Sequence, residues 1–533
     1  MAQSESSSGL PRRQILITMA CAMTGLFLAA LDQTVVGTAM PRIIADLGGF
    51  DRYTWVTTAY LVASTITVPI VGRLSDIFGR KWFYLVGLII FMIGSFAAGT
   101  ATSMNQLIAF RAFQGLGGGV LMSLVFVIVG DLYAPAERGK IQGVIAAVFG
   151  MSSVIGPTLG GFITDTLSWN WIFYINLPIS IPLIIAMTRF FPRIEPQPMD
   201  RTIDVLGVIT LIATVVPLML ALSIAGDSGW TSSQVIILFA VAATAVAAFI
   251  FVEMRTPNPI MPLHIYTNPI LAVTILATFV TGFGMFGAII FIPLFFQGVL
   301  GASATSSGSF LTPMMLGTVI GASISGQVVS RLGSYRWPGL FGVTMMSIGL
   351  FLLSTTSEAT TYPIAISFIV LLGFGLGFTF PSFTIAAQNA VEHRFLGIAT
   401  STVQFYRTIG GALGLALLGS LMANRFRANL SDSLPSEVRE SISGDEIAEL
   451  ANNPAAMVNP EVLNGIVANL GLADGATSAM LDGLRTALAS SLSSVFLATF
   501  FILVTAIVIV LFLRDVPLRS ASGRGGPPPT AGE

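Results

Sequence analysis

Asp32 and Arg111 are charged residues inside long apolar stretches of this sequence, where a charge is costly. Asp32 lies in the stretch from 14 to 40, and Arg111 lies near the start of the stretch from 106 to 131. Burial favours a protonated acid and a nearby guanidinium favours the carboxylate, so an acid that alternates between these surroundings can load and release a proton. Arginine cannot titrate in its place. The two residues therefore predict proton handling or, as the alternative, a static ion pair that fixes helix register.

The elements that position these residues must be membrane helices. Of the 533 residues, 54% are hydrophobic and only 10% are charged, whereas about a quarter are charged in a typical soluble domain. The apolar residues form blocks of about twenty, the length that crosses ~30 Å of hydrocarbon as a helix. The blocks predict an all-α polytopic membrane protein with fourteen spans, near residues 14–40, 54–74, 82–100, 106–131, 140–164, 171–191, 204–225, 234–253, 269–297, 308–330, 337–354, 363–390, 398–423 and 488–513.

Basic residues predict the orientation, because short cytoplasmic loops are enriched in Lys and Arg. Alternate loops contain them, whereas the loops near 101–105, 165–170, 226–233, 298–307 and 355–362 contain none. Arginines also occur in both tails, so both termini are expected in the cytoplasm and the chain in the cell membrane, most readily a bacterial inner membrane. Arg42 and Arg52 are the exceptions, in the first outer loop.

The composition also excludes several functions. A net charge of -1 carries no signature of nucleic-acid binding, and the single Cys21 excludes an intrachain disulfide and a cysteine-based metal site. The segment Arg138-Gly139-Lys140 lacks the glycine spacing and hydroxyl residue of an ATP-binding loop. We therefore expect no enzyme activity and no cofactor or metal, with protons as the coupling ion.

Glycines recur at a fixed offset along the chain. A shift of 258 superposes Gly115, Gly117 and Gly119 on Gly373, Gly375 and Gly377, and Gly139 on Gly397; a shift of 254 superposes Gly72 and Gly79 on Gly326 and Gly333. Such a repeat predicts two six-helix bundles with two inserted helices, a plan for alternating access. The expected regions are a cytoplasmic tail (1–13), the first bundle (14–200), the inserted helices (201–260), five helices of the second bundle (261–423), an extracytoplasmic loop with short helices (424–487), the last helix (488–513) and a disordered tail (514–533).

The predicted loop between spans two and three carries a recognisable pattern. It reads Gly72-Arg73-Leu74-Ser75-Asp76-Ile77-Phe78-Gly79-Arg80-Lys81 and resembles the GxLxDxxGRK signature of the major facilitator superfamily. Glycine permits a tight turn, and Asp76 can pair with arginines or with a helix N-terminus. The resemblance implies a conformational gate made by Gly72, Asp76, Gly79, Arg80 and Lys81; the alternative is a cationic loop that only sets topology.

Span five is similar to the antiporter motif of exporters in that superfamily. Its glycines are Gly150, Gly156, Gly160 and Gly161, and Pro157 follows the second of them. Small residues allow close helix packing and proline bends a helix, which suits a rocking interface. A plain packing face is the alternative. If the resemblance holds, the motif favours efflux over uptake.

Besides the segment from Gln404 to Gly411, three further segments resemble the fourteen-spanner drug:proton antiporter family. They run from Leu31 to Pro41, from Arg111 to Gly119 and from Trp169 to Pro178, and the first departs from the family pattern at Gly37, where asparagine is usual. Helix rise puts Asp32 about 27 Å from Arg13 and Arg111 about 8 Å from the outer boundary, so we expect the two to pair or to compete for one proton. Gln33, Gln114, Gln404 and Arg407 are further candidates for lining a cavity.

Arg407 is a second cation predicted at membrane depth, without a carboxylate partner in the second bundle. It is expected to bind the anionic end of a substrate, to cap backbone carbonyls or to snorkel towards the cytoplasm. The outer segment 424–487 holds nine acids and four arginines, and its fragments 437–450 and 460–470 predict short amphipathic helices. It is expected to form a cap, a docking element or a tolerated insertion.

The function expected from these patterns is export of hydrophobic or cationic amphiphilic drugs and toxic compounds in exchange for protons, by a protein that acts as a monomer. The alternative is a dedicated exporter of one endogenous product, such as an antibiotic, lipid or siderophore. An open channel is disfavoured, because paired bundles indicate alternating access.

Overall fold

The chain folds as a bundle of α-helices, seen here in a computed structural model that describes residues 11–48, 52–192, 202–301, 304–434 and 474–518. The helices are α1 (Arg12–Leu47), α2 (Tyr53–Phe78), α3 (Arg80–Gly99), α4 (Met104–Leu132), α5 (Pro135–Thr166), α6 (Trp171–Tyr174), α7 (Asn176–Phe190), α8 (Val205–Ser228), α9 (Ser233–Arg255), α10 (Pro269–Leu294), α11 (Ala304–Leu332), α12 (Arg336–Ser354), α13 (Tyr362–Ala390), α14 (Leu396–Ser433) and α15 (Asp474–Leu511). A 3₁₀ turn, Leu263–Thr267, precedes α10, and a π-helical turn, Phe295–Val299, follows it.

Fourteen segments within the described residues are long and apolar enough to cross a membrane, which confirms the predicted number. The short helix α6 and the helix α7 together form the sixth span, Trp171–Phe190. Both ends of the described chain therefore lie at one end of the bundle, called here the terminal end, and the other end is called the opposite end.

The last two spans extend beyond the predicted boundaries. The helices α14 and α15 have 38 residues each, a length of about 57 Å at ~1.5 Å per residue, well beyond the ~30 Å hydrocarbon core. Residues 424–433 and 474–487 are therefore helical, not part of a loop, and buried Phe426 and Leu484 pack in one apolar cluster between them. The predicted helices 437–450 and 460–470 lie outside the described residues.

The start of the C-terminal tail is also packed against the bundle. Asp515 Oδ1 accepts hydrogen bonds from the backbone N–H groups of Tyr335 and Arg336 at the start of α12, both at 3.0 Å. Tyr335 Oη donates to the carbonyl of Arg514 at 2.9 Å, and Val516 is buried. The prediction of a disordered tail from 514 is thus wrong for residues 514–518, and residues 519–533 lie outside the described part.

The packing of the glycines repeats between the two bundles, as the offset of 258 predicts. In the first bundle, a β-carbon on Gly115 would collide with the backbone of α2, and one on Gly117 with the backbone of α3. In the second bundle, Gly373 approaches the backbone of α11 and Gly375 that of α12 in the same way. Glycine is required at these positions because two helix backbones meet there.

The two bundles touch each other near the terminal end through two related pairs of glycines. Gly139 of α5 lies against Gly326 of α11, and Gly397 of α14 lies against Gly72 of α2. The offsets that relate the bundles exchange these two contacts. The first seam continues to Gly150, which packs against Met315 and Val319 of α11. The bundles are therefore closed on each other at the terminal end.

Candidate functional site

Asp32 and Arg111 form an ion pair in the interior of the first bundle. Arg111 Nη1 contacts Asp32 Oδ2. Arg111 is 1% exposed and Asp32 is 2% exposed. Gln114 Nε2 donates to Asp32 Oδ1 at 2.8 Å, and Gln114 Oε1 accepts from Arg111 Nη1 at 2.6 Å. The acid, the cation and the amide therefore form a closed triangle of hydrogen bonds.

Aromatic rings cover the arginine of this triangle. Arg111 Cζ lies 4.3 Å from the centre of the Tyr60 ring and 5.8 Å from that of Phe173. A cation over a ring face is attracted by the quadrupole of the ring. The rings also keep water from the ion pair, which strengthens its electrostatic interaction.

Helix spacing and close glycine packing position Arg111, Gln114 and Tyr60 in the site. Arg111 and Gln114 are three residues apart on α4, so they share one helical face. The glycines that follow let α2 approach α4 closely: Gly115 lies against the backbone of Tyr60, and Gly118 leaves room for its hydroxyl group. The glycine stripe is thus what brings the Tyr60 ring over Arg111.

Asn176 completes the site and was not among the predicted site residues. Its Nδ2 donates to Asp32 Oδ1 at 3.4 Å and to Ser95 Oγ at 2.9 Å, and Ser95 Oγ donates to the carbonyl of Phe173 at 2.8 Å. Asn176 stands where the helix α6 stops and α7 begins. The sequence feature that could have identified this residue is an asparagine inside a predicted span and two positions before a proline, at Asn176-Leu177-Pro178.

The gate motif is helical, contrary to the prediction that it is a loop. The helix α2 continues to Phe78 and α3 begins at Arg80, so Gly79 alone turns the chain, with a φ of 93°. This left-handed backbone favours glycine. Lys81 Nζ donates to the carbonyl of Thr188 at 2.7 Å, which ties the start of α3 to the end of α7.

Asp76 makes both of the contacts that were predicted for it. Its carboxylate forms an ion pair with Arg80 and accepts hydrogen bonds at 3.1 Å from the backbone N–H groups of Gly397 and Ile398. These groups belong to the first turn of α14, in the other bundle, where the helix dipole favours an anion. Arg80 Nε also contacts Asp131 Oδ2 at 2.9 Å. The motif therefore bridges the two bundles at the terminal end.

A second link between the bundles was not predicted. Arg138, at the start of α5, donates from Nη1 to Gln388 Oε1 of α13 at 3.0 Å and from Nη2 to the carbonyl of Gly130 at 2.7 Å. Gln388 in turn donates to the carbonyl of Phe126 at 3.4 Å.

The antiporter motif divides between two partners. Gly156 lies against Thr34 of α1 and Gly160 against Val35 and Thr38, all within two turns after Asp32. Gly150 instead faces α11 of the other bundle. Gly161 has no atom within 4 Å of the position of a β-carbon, so it is not part of a close contact. Pro157 lies within the continuous helix α5.

Arg407 is buried in the second bundle and does not snorkel. It is 4% exposed and lies eleven residues into α14, and its Nη1 donates to Gln404 Oε1 at 2.5 Å. Its Cζ lies 4.2 Å from the centre of the Phe380 ring, and its buried Nη2 has no hydrogen-bond acceptor among the described residues. The alternatives of carbonyl capping and snorkelling are therefore not observed.

The four predicted cavity residues do not form one cluster. Gln114 belongs to the Asp32 site, whereas half-buried Gln33 donates to Met122 Sδ at 3.4 Å. Gln404 and Arg407 pair with each other in the second bundle.

Comparison with known proteins adds to this geometry. The family model described as Major Facilitator Superfamily matches residues 22–415. The multidrug transporter protein MdtP of Bacillus subtilis (strain 168) is 39% identical over 522 residues, covering 96% of this chain and 94% of the relative. The multidrug resistance protein 3 of the same organism is 39% identical over 501 residues, covering 94% and 95%. An acurin A biosynthesis cluster MFS-type transporter of Aspergillus aculeatus is 33% identical over 415 residues, covering 76% and 75%.

Two solved structures share the fold. The human organic anion transporter MFSD10 aligns with a TM-score of 0.59 at 14% identity, over 93% of this chain and all of that one. The proton:xylose symporter XylE aligns with a TM-score of 0.54 at 13% identity, over 92% and 95%. At such low identity the likeness concerns the fold alone.

Proposed function

The chain belongs to the major facilitator superfamily, and from this premise we propose that it exports amphiphilic, hydrophobic or cationic drugs and toxic compounds in exchange for protons, by alternating access. It is a multi-pass membrane transporter and not an enzyme. Proton exchange, the direction of transport and a monomeric state are parts of the proposal.

The Asp32 site is the observation that carries the proposal. While Asp32 is ionised, its charge and that of Arg111 cancel in the interior of the bundle. When Asp32 takes a proton, Arg111 loses that counter-charge but keeps Gln114 Oε1 as an acceptor and the Tyr60 ring as a cover. Because these groups remain, the protonated state does not strand the guanidinium without partners. This arrangement suits reversible binding of a proton by Asp32, because Arg111 keeps the neutral acceptor Gln114 Oε1 when Asp32 is protonated.

The helix α5 offers a physical route from Asp32 to the contact between the bundles. Thr34, two residues after Asp32, donates to the carbonyl of Ser152 at 3.2 Å, and Gly156 packs on the same turn of α1. The other end of α5 forms the seam with α11 through Gly139 and Gly150. We propose that a shift of α1 on protonation moves α5 and loosens this seam.

Asp76 is proposed as the latch of the closed terminal end. The alternation of basic loops predicts that this end faces the cytoplasm, so we propose that the conformation described here faces outward. The carboxylate joins α2 to the first turn of α14 through two charge-assisted hydrogen bonds, which opening must break. Gly72 permits the close contact and Gly79 the turn.

Substrates are proposed to be small organic molecules, because two relatives at 39% identity are named a multidrug transporter protein and a multidrug resistance protein. We propose that Gln33, Gln404 and Arg407 contact the substrate, with Arg407 facing any anionic end, since its Nη2 has no acceptor among the described residues. A dedicated exporter of one endogenous product is the second candidate. It is favoured by the similarity to a transporter named for a biosynthesis cluster.

The test is dye efflux from energised cells that express equal amounts of the wild type, Asp32→Asn or Asp165→Asn, with and without a protonophore. Asp165 is exposed near the end of α5, so its variant makes the same chemical change away from the site. We expect the wild type and Asp165→Asn to export dye, and Asp32→Asn and the protonophore to abolish concentrative export. Uphill export by Asp32→Asn would refute the assignment of Asp32, and a wild type that moves no dye would favour the dedicated exporter.

A further inference from the structure

Two buried carboxylates lie at the terminal end of the inserted helices, outside the sites described above. Asp204 caps the start of α8, where its Oδ1 accepts a hydrogen bond from the backbone N–H of Gly207 at 2.8 Å. Glu253, in the last turn of α9, accepts from the backbone N–H of Met261 at 3.0 Å through Oε2. The two residues are 7% and 3% exposed. One oxygen of each is thus satisfied by local backbone.

The other two oxygens both lie beside Gly207. Glu253 Oε1 lies 2.8 Å from the position that a β-carbon on Gly207 would occupy, and Asp204 Oδ2 lies closer still. Because both oxygens lie within 2.8 Å of the same point, Asp204 Oδ2 and Glu253 Oε1 are less than about 5.6 Å apart. Neither has a hydrogen-bond donor within the described part of the chain. Two ionised carboxylates so close together, buried and without a donor, repel each other strongly.

Among the described residues, the cation that interacts with Glu253 is Arg73, and Arg394 lies near Arg73 in turn. Arg73 of α2 interacts electrostatically with both Glu253 and Asp76. It is 3% exposed, and its Nε and Nη1 have no hydrogen-bond acceptor among the described residues. Tyr266, in the 3₁₀ turn before α10, also faces Glu253; burial raises the pKa of Tyr266, so the phenol stays neutral. Arg73 is the cation in the described part of the chain whose charge acts on Glu253, and because it also interacts with Asp76 it does not balance two further ionised acids.

We propose that Asp204 and Glu253 share one proton, held in a hydrogen bond between Asp204 Oδ2 and Glu253 Oε1. One proton removes one of the two charges and supplies the missing donor for both oxygens, and the remaining negative charge faces Arg73. A Ca²⁺ ion would need about six to eight oxygen ligands, whereas the described residues offer two free carboxylate oxygens here. The pair is thus a proton-binding site separate from Asp32, and only its coupling to the gate rests on the proposed function.

This site is coupled to the gate through Arg73. The residue stands three positions before Asp76 on α2, and both Asp76 and Glu253 attract it. Loss of the shared proton doubles the negative charge of the pair and draws Arg73 towards the inserted helices and away from Asp76. The charge of the pair on the inserted helices therefore changes the electrostatic interaction between Arg73 and Asp76.

The first experiment is infrared difference spectroscopy of the full chain in lipid nanodiscs, recorded between acidic and alkaline pH. A carbonyl stretch from a protonated carboxyl group is expected at neutral pH in the wild type and in Asp32→Asn. We expect that band to be lost in both Glu253→Gln and Asp204→Asn. If both variants reproduce the wild-type spectrum in the carbonyl region, the shared proton does not exist. Because Asp32→Asn is measured in parallel, failure here is distinct from failure of the Asp32 assignment.

A second measurement keeps the test valid if one variant is unstable. Asn caps helices as well as Asp does, and in Asp204→Asn its NH₂ group can donate to Glu253 in place of the proton. The folded pair holds a proton that the separated carboxylates of the unfolded chain release above about pH 5. Wild-type thermal stability should therefore fall as the pH rises from about 5 to the pH at which the folded pair also loses this proton. Asp204→Asn should lack this decline. An increase in wild-type stability with added Na⁺ or Ca²⁺ that Asp204→Asn does not show would overturn the proposal in favour of a cation site.

Discussion

Arg111 in the first bundle and Arg407 in the second are both buried in spanning helices, and their partners among the described residues differ. In the first bundle Arg111 pairs with Asp32, whereas in the second bundle Arg407 contacts the amide oxygen of Gln404 and the ring of Phe380. The helices of the second bundle have acids only near the opposite end: Asp432, Asp474 and Asp482. The bundles repeat the backbone packing of their glycines but not their charges. The difference fits the proposed function, in which the first bundle exchanges the proton and the second bundle meets substrate charge.

The largest effect is expected from breaking the pair in the first bundle. Arg111→Met leaves an unpaired buried carboxylate, and removing one partner of such a pair typically costs about 3–5 kcal/mol. We expect a large loss of thermal stability in detergent and no export. Combining Arg111→Met with Asp32→Asn should recover much of the stability but none of the export.

The matched change in the second bundle is Arg407→Met. It breaks no ion pair, so it should destabilise the protein less than Arg111→Met does. Equal destabilisation by both changes would contradict the contrast between the bundles.

The second effect concerns substrate charge. A charge-assisted hydrogen bond is worth about 1.5–3 kcal/mol, or roughly a 10- to 100-fold change in affinity. If Arg407 faces the anionic end of a substrate, Arg407→Gln should raise the KM for anionic dyes by that order and leave cationic dyes nearly unchanged. Efflux kinetics with a matched pair of anionic and cationic dyes measure this. A uniform loss for both dyes would assign Arg407 to packing alone.

The smallest effect tests the seam between α1 and α5. Gly156→Ala places a β-carbon against the Thr34 side chain, whereas Gly161→Ala meets no atom within 4 Å. We expect Gly156→Ala to slow export a few-fold by displacing the turn that follows Asp32, since overpacking costs about 1–3 kcal/mol. Gly161→Ala should export like the wild type. If both variants are equally slow, the motif acts through helix flexibility instead of through contact with α1.

Much of the fold follows from the sequence because span length and loop charge are local properties. Twenty apolar residues must become a helix in hydrocarbon, where every backbone polar group needs an internal partner. Helix rise along α1 and α4 was then enough to bring Asp32 and Arg111 to one depth. The predicted ends of the spans were wrong where polar contacts decide how far a helix continues. The helix α2 continues through the gate motif because Asp76 pairs with Arg80 and accepts hydrogen bonds from the first turn of α14.

The partners of the charged residues could not be read from the sequence. Asn176 and Tyr60 come from other spans, and no spacing along the chain relates either of them to Asp32. The same holds for Asp204 and Glu253, which lie 49 positions apart in sequence and meet because α8 and α9 pack side by side. Sequence patterns also predicted equal roles for Gly156 and Gly161, although only one of them faces α1.

The sequence by itself determined the membrane class, the number of spans, the internal repeat and the presence of one acid deep in the first bundle. Each of these depends on composition, periodicity or spacing within one helix. Only the tertiary structure decided which groups neutralise each buried charge, which glycines lie at a seam and how Asp76 bridges the bundles. Those outcomes depend on how separate helices rotate and slide against one another, and this is fixed by the packing of the whole bundle.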